Sequence, residues 1–418
     1  MFIIYQTLIL FIIIISPLIL TIRFFKNKEH KNRFIEKFCI IKKKRESGDY
    51  IWIHAASVGE FMSVIPLITE LEKKKEIKNI LVTTSTLSSS KIFSNYKFKK
   101  TIHQFFPIDF FYLSSIFIKY WKPKMVIFID SEIWPSMYRT LKKNSIPLIL
   151  MNARITEKSF RRWKFFSKFT GNIFKSIKIA YPSNTDTHNY LKELKVEKIK
   201  KIGNLKFTDF KKNKLKEFSS SFLKSINKRV IWCASSTHDG EEKIIAKSHL
   251  ILKKKIKNLL TIIIPRHTQR INKINEEINS LNLKTIIRTS NKKIKKDTDI
   301  YLVDTYGETK KFFNISKIAF IGGSLVKHGG QNPIEPARLK LNIIHGPYVD
   351  NFRDIYKLFN KKKIAYKIKN SNQLLNITKN LLKTKKNRKI NLEKIGNLIL
   401  KKSIIELMNI YKNEIKKA

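Results

Sequence analysis

The sequence predicts an α/β protein of two parallel-sheet domains facing a cleft, preceded by one transmembrane helix. Three observations carry that reading. From residue 50 onward, short β-branched apolar runs alternate with amphipathic stretches, the rhythm of buried strands covered by helices. A polar stretch rich in Lys and Ser, 208–228, interrupts the rhythm once before it restarts. And Phe2 to Ile22 contains no charged residue.

Length and composition bound the class. With 418 residues, a prior of about 150 residues per domain gives two or three domains. Hydrophobic residues at 43% and charged residues at 28% exclude a disordered chain. Two cysteines, Cys39 and Cys233, exclude a disulfide scaffold. No Cys/His cluster has zinc spacing. The charge is the unusual quantity: 85 Lys+Arg against 32 Asp+Glu gives +53. Such a surplus favours anionic partners such as acidic lipid or phosphorylated substrates. The basic runs are scattered, from Lys42–Arg45 through Lys211–Lys216 to Lys383–Lys389. Lysine and isoleucine crowd the whole chain, so the surplus reads mainly as compositional drift. Nucleic-acid binding rests on charge alone and is not expected.

The N-terminal segment, 1–23, is expected as a membrane anchor. A helix of about 21 residues is about 31 Å long, enough to cross a bilayer core. Arg23, Lys26, Lys28, Lys31 and Arg33 follow and would hold that flank on the cytoplasmic side. No basic segment precedes the apolar run and no small-residue cleavage site ends it, which favours a retained single-pass anchor over a cleaved signal.

The first domain is expected over 45–207. IWIHAA, NILVTT, MVIFID and PLILMNA are its buried strands. The first ends in His54-Ala55-Ala56-Ser57-Val58-Gly59-Glu60. Glu60 thus falls where a strand ends and a helix begins, and the helix dipole favours its ionised form. A carboxylate there can accept a proton from an attacking hydroxyl. Ser57 and Glu60 equally fit a capping box. Asp130-Ser131-Glu132 follows the third of these strands, Asn152-Ala153-Arg154 the fourth, and Gly203-Asn204-Leu205-Lys206 closes the domain. A lysine at that junction can neutralise phosphate.

The second domain is expected over 229–385, with strands VIWCASS, LLTIIIP, KTIIRT, IYLVDT, IAFIGG and NIIHG. Pro265-Arg266-His267 ends one strand, and Arg266 suits bidentate phosphate contact. Asp304-Thr305-Tyr306-Gly307-Glu308 ends another. Small residues and hydroxyls after Cys233 could offer backbone amides to an anion. Gly322-Gly323 and Gly329-Gly330 allow a backbone to approach a ligand closely. Asn332, Pro333 and Glu335 fit the N-cap, N1 and N3 positions of a helix. Asp297-Thr298-Asp299 matches a metal-binding D-x-D by composition, but it sits in a Lys-rich loop before a strand. The tail, 390–418, is amphipathic helix.

Taken together, IHAASVGE, SEIWP, NARIT, GNLKF, ASSTHDGEE, PRH, DTYGE and GGSLVKHGGQNPIEPA resemble, in order, the 3-deoxy-D-manno-octulosonic acid (Kdo) transferases, glycosyltransferases of lipid A. The resemblance implies a GT-B fold of two Rossmann-like domains: an acceptor domain, then a CMP-sugar-binding domain. It implies transfer of Kdo from CMP-Kdo to a lipid A precursor at the cytoplasmic face of the inner membrane, where anionic lipids would meet the basic surface, without metal or other cofactor. It further implies Glu60 as general base, with Asp130 and Lys206 as stabilisers. CMP would be held by Pro265, Arg266, Tyr306, Gly307, Glu308, Asn332, Pro333, Ile334 and Glu335. The family pattern has Glu-Thr-Glu where Asp130-Ser131-Glu132 stands, so the stabilising role falls to Asp130 or to Glu132. Another GT-B nucleotide-sugar enzyme, a transferase or an epimerase, is the alternative.

Overall fold

The structure is a computed structural model and describes residues 1–208, 217–383 and 391–416. Residues 209–216 of the expected linker lie outside the described residues, as do the basic run Lys211–Lys216 and most of Lys383–Lys389. The chain divides into two compact units. One comprises Met1–Phe210 with Glu393–Ala418, and the other Lys211–Leu392.

The first unit holds β1 (Tyr50–His54), β2 (Asn79–Thr84), β3 (Thr101–Phe105), β4 (Pro123–Ile129), β5 (Leu148–Ala153) and β6 (Ile177–Pro182). Their order is β3-β2-β1-β4-β5-β6, with every pairing parallel. Parallel strands need crossover helices, which cover both sheet faces and make the central strands apolar throughout. All five residues of β1 are buried. In register, Ile51 pairs with Met125 and His54 with Phe128. Trp52 packs on Phe117 at 4.8 Å between ring centres, while its indole N–H donates to Thr83 Oγ1 at 2.9 Å. A buried indole keeps its donor satisfied in this way. The order reverses between β1 and β4, and in open α/β sheets such a reversal opens a crevice at the carboxyl ends of the strands.

The second unit holds β7 (Val230–Thr237), β8 (Leu259–Pro265), β9 (Thr285–Ile287), β10 (Ile300–Leu302), β11 (Ile318–Ile321), β12 (Asn342–His345) and β13 (Ala365–Lys367). Their order is β13-β12-β11-β7-β8-β10-β9, again all parallel. Its reversal lies at β7. Every expected strand is present. The three not expected, β3, β6 and β13, each lie at a sheet edge, and polar residues break the apolar signal of their short runs.

The helix α1 (Phe2–Phe25) covers the apolar segment. The last helix, Leu392–Ile415, returns to the first unit. Tyr181 donates to Glu406 at 2.9 Å, Lys200 pairs with Glu406 at 2.9 Å, and Lys412 with Glu76 at 3.1 Å. Its Ile399 lies against Gly203, whose φ is +123°. The tail therefore supports the loop that carries Lys206.

At Gly322 and Gly346 the close approach is to backbone. A Cβ on Gly322 would meet Ser236 O at 2.4 Å, and one on Gly346 would meet Ser324 O at 2.1 Å. Gly322→Ala must push β11 from β7. We expect a loss of about 1–3 kcal/mol or more, read as a lower midpoint in chemical unfolding; an unchanged midpoint would mean that this packing is not tight.

Candidate active site

The reversal in the first sheet brings together the ends of β1 and β4. After β1, helix α2 (Val58–Glu72) begins with Ser57 as its cap. Glu60 N donates to Ser57 Oγ at 3.3 Å. The Glu60 carboxylate accepts from Ala56 N at 2.7 Å and from Ser57 Oγ at 3.0 Å. The capping box is therefore formed. It does not leave Glu60 an ordinary carboxylate. Burial, with Glu132 and Asp130 nearby, pushes its pKa up to about 7 against the amide and hydroxyl donors. The helix amino end favours the ionised form, and burial beside two other acids works against it.

Asp130 follows β4 in the left-handed region, φ 56°, and Asn152 near the end of β5 shares it, φ 55°. Asp and Asn tolerate that region best among residues with a side chain. The pair is joined: Asn152 Nδ2 donates to Asp130 Oδ1. Asn152 Oδ1 in turn accepts from Leu205 N at 2.9 Å, and Asn204 Oδ1 accepts from Lys206 N at 2.9 Å. These bonds shape the turn that sets Lys206 Nζ 3.6 Å from Asp130 Oδ2. Glu132 is held differently. Trp134 Nε1 donates to it at 2.8 Å, and His54 Nε2 lies 3.3 Å away. His54 is fixed by Thr83 Oγ1 at 2.9 Å from Nδ1 and by stacking on Phe106 at 3.9 Å. Glu60, Asp130 and Lys206 are thus brought together with Glu132. Sequence reasoning assigned nothing to His54, Asn152 or Trp134, although all three stand inside the runs it singled out. Their partners lie 22 or more residues away for Asp130–Asn152, Asn152–Leu205, and His54 with Thr83 and Glu132, which one-dimensional spacing does not reveal.

In the second unit the expected residues again follow strand ends. Arg266 follows β8, with its N–H on Thr237 O at 3.0 Å. Its side chain is exposed and forms no ion pair among the described residues. Tyr306 is 69% exposed, and Gly307 has φ 84°. Burial alone would raise Glu308, but Arg288, Thr305 and Lys311 bring it down to about 2. Asn332 Oδ1 accepts from Ile334 N at 3.0 Å. The short helix Ile334–Arg338 starts one residue later than expected, with Pro333 in the cap position. Pro265 closes β8, and Glu335 faces Lys310 at 3.4 Å.

One amide of the run after Cys233, His238 N, and three of the glycine-rich loop are already engaged. Buried Glu241 accepts from His238 N at 2.9 Å, Gly323 N at 2.8 Å, Ser324 N at 3.1 Å and Leu325 N at 2.9 Å. The chain supplies its own carboxylate to that nest. Asp297 and Asp299 are likewise engaged, Asp297 with Lys284 at 2.5 Å and Asp299 with Lys253 at 3.1 Å and His249 at 3.2 Å.

A carboxylate poised near neutrality beside a Lys–Asp pair, at the reversal of a Rossmann-like sheet, suits proton transfer next to a developing negative charge. Solved structures share the fold. The UDP-GlcNAc 2-epimerase from Neisseria meningitidis bound to UDP-GlcNAc matches with a TM-score of 0.58 at 13% identity, over 86% of this chain and 99% of that one. A glycosyltransferase from Rickettsia africae matches with a TM-score of 0.58 at 15% identity, over 89% and 100%. These likenesses show a GT-B type of fold. Residues 32–209 match the family model for 3-deoxy-D-manno-octulosonic-acid transferase (kdotransferase). The 3-deoxy-D-manno-octulosonic acid transferase of Rickettsia bellii is 35% identical over 373 residues, 89% of this chain and 88% of the relative. That of Haemophilus influenzae is 34% identical over 312 residues, 74% and 73%. The chain belongs to the Kdo transferase family.

A carboxyl with its pKa raised to about 7 accepts a proton only when ionised, which sets the pH dependence of any step that uses Glu60 as base. The kcat/KM profile should therefore rise with pH through an apparent pKa near 7. Glu132→Gln removes one acid that holds Glu60 up, so the acid limb should move to lower pH. A limb that stays in place would exclude the coupling.

Proposed function

We propose that this protein transfers Kdo from CMP-Kdo to a hydroxyl of a lipid A precursor, with Glu60 as general base. The observation that supports it most is the grouping of Glu60 with Asp130, Glu132 and Lys206 at the reversal of the first sheet. Glu60 takes the proton as the acceptor oxygen bonds to the anomeric carbon of Kdo. The bond from that carbon to the CMP phosphate oxygen breaks, and CMP leaves with the electron pair. Lys206, steered by Asp130 and Asn152, offsets negative charge that develops in the transition state. Glu132, anchored by His54 and Trp134, keeps the Glu60 proton affinity near working pH.

In the second unit, Arg266 binds the CMP phosphate, and a guanidinium matches that anion bidentately. Tyr306 presents a ring face to the base. Gly307, Glu308 and the turn from Asn332 through Pro333 and Ile334 to Glu335 complete the nucleotide site, where Glu335 accepts from ribose hydroxyls. Phosphate leaves readily when cations neutralise it, so this mechanism uses protein groups alone. The acceptor resides in the inner membrane, and α1 keeps the enzyme at its cytoplasmic face.

Incubation with CMP-Kdo and a tetra-acyl lipid A precursor, with product mass read out, tests the reading. A mass gain from UDP-sugars instead would reject it in favour of another nucleotide-sugar enzyme. Glu60→Gln should lower turnover by orders of magnitude with CMP affinity retained; near-normal turnover would remove Glu60 from the role. Arg266→Ala should weaken CMP binding about 10- to 100-fold, as loss of a charge-assisted contact does; calorimetry showing equal affinity would reject the contact. EDTA should leave turnover intact. Loss of turnover restored by Mg²⁺ would point back to a metal-dependent route.

A further inference from the structure

The second unit carries an imidazole cluster outside the residues assigned to CMP. Three neighbouring strands, β11, β7 and β8, each lead into one of its members: His328, His238 and His267. The sheet order reverses at β7, and open α/β sheets bind ligands beyond the carboxyl ends of strands at such a reversal. The His238 and His328 rings stack, with 4.1 Å between centres and 18° between planes. His267 stands edge-on to His238 at 5.9 Å. His238 is only 8% exposed, and its Nε2 is buried with no hydrogen-bond partner among the described residues. Buried polar atoms are nearly always paired, so a lone one calls for a missing partner.

Its surroundings suit an anion. Arg266 and Lys327, the sequence neighbours of His267 and His328, are exposed. The nearest acids are committed elsewhere. Glu241 accepts four backbone amides. Asp239 pairs with Arg270 at 2.8 Å, and Glu242 with the same guanidinium at 3.1 Å. Burial, with His328, His267, Arg266 and Arg270 nearby, holds the His238 pKa down to about 4. The ring is therefore neutral near pH 7 and keeps one N–H to donate. A metal cation suits the cluster poorly. Imidazole lone pairs lie in the ring plane, and two nearly parallel stacked planes cannot aim them at one ion. A carboxylate or phosphate oxygen fits, because its bond to a ring N–H is charge-assisted.

The loop sets the approach. A Cβ on Gly323 would meet the His238 ring at 3.1 Å, so backbone seals one edge. His328 covers one face and is itself exposed. The backbone around it is pinned: Asn351 Nδ2 donates to His328 O at 3.1 Å, and Gly330 N to Gly323 O at 2.7 Å. The exposed ring can turn about its own side-chain bonds and uncover His238 without moving the loop.

We propose that His238, His267 and His328 bind the carboxylate of the donor sugar. The assignment rests on the reading of the donor as CMP-Kdo. Kdo is an octulosonic acid, so its carboxylate is bonded to the same anomeric carbon that carries the CMP phosphate. Where Arg266 holds that phosphate, the carboxylate lies beside it, and His267 is the next residue along the chain. The hexose of a UDP-hexose has no such group. The cluster therefore selects an acid sugar over a neutral one, and it fixes the orientation of the anomeric carbon.

The test is calorimetry on the full-length protein without acceptor, using CMP, CMP-Kdo and the C1 methyl ester of CMP-Kdo. The ester adds one methyl group and removes the charge. The unchanged protein should bind CMP-Kdo about 10-fold or more tightly than the ester, as loss of a charge-assisted hydrogen bond requires. His328→Phe keeps the stack and removes the nitrogens, and His267→Gln removes the second ring. Both positions are exposed, so folding should survive. Each variant should bring acid and ester toward equal affinity with CMP affinity kept, and His238→Asn should do so most completely. A ratio of acid to ester that persists in all three variants overturns the assignment alone. Equal losses for CMP and both donors would also overturn it, by showing that the cluster serves the nucleotide or the loop. An unchanged protein that binds neither donor would reject the CMP-Kdo reading, and this assignment with it.

Discussion

Three acids must share the small region where β1 and β4 part, and the rest of the first unit is arranged around keeping them there. Like charges in a partly buried place raise one another's proton affinity. The structure divides the load. Asp130 is matched by Lys206 and Asn152, and Glu132 by Trp134 and the neighbouring His54. Glu60 is left with only local amide and hydroxyl donors, and burial beside the other two acids raises its pKa to about 7. The same capping contacts that hold its side chain in place therefore coexist with an acid poised for proton transfer.

The second unit solves a different problem. Its glycine-rich loop looks open to a ligand in one dimension, yet three of its amides converge on Glu241. This buried carboxylate fixes the loop from within. Rigid loops lower the entropy cost of binding. The groups left facing outward, Arg266 and Tyr306 among them, are those without such internal work.

The returning C-terminal helix joins these themes. It braces the first unit through Glu406 and through Ile399 under Gly203, so the end of the chain supports the turn of Lys206. Its ion pairs, Glu406 with Lys200 and Lys412 with Glu76, are partly exposed and contribute little individually. The apolar contact beneath a left-handed glycine is the more demanding constraint, because a side chain there would collide.

The sequence by itself determined the α/β class, ten of the thirteen strands, the apolar N-terminal helix and the family. Each is written in local periodicity or in contiguous runs such as IHAASVGE and SEIWP. Edge strands β3, β6 and β13 were not legible because their short runs, TIHQF, IKIAYP and AYK, carry polar residues that break the apolar signal. The partners of Asp130 and Glu132 and the clamp by Glu241 were decided only by tertiary structure. These contacts join residues from distant parts of the chain, and the raised proton affinity of Glu60 arises from burial and neighbouring charge. Neither quantity exists until the strands are in register.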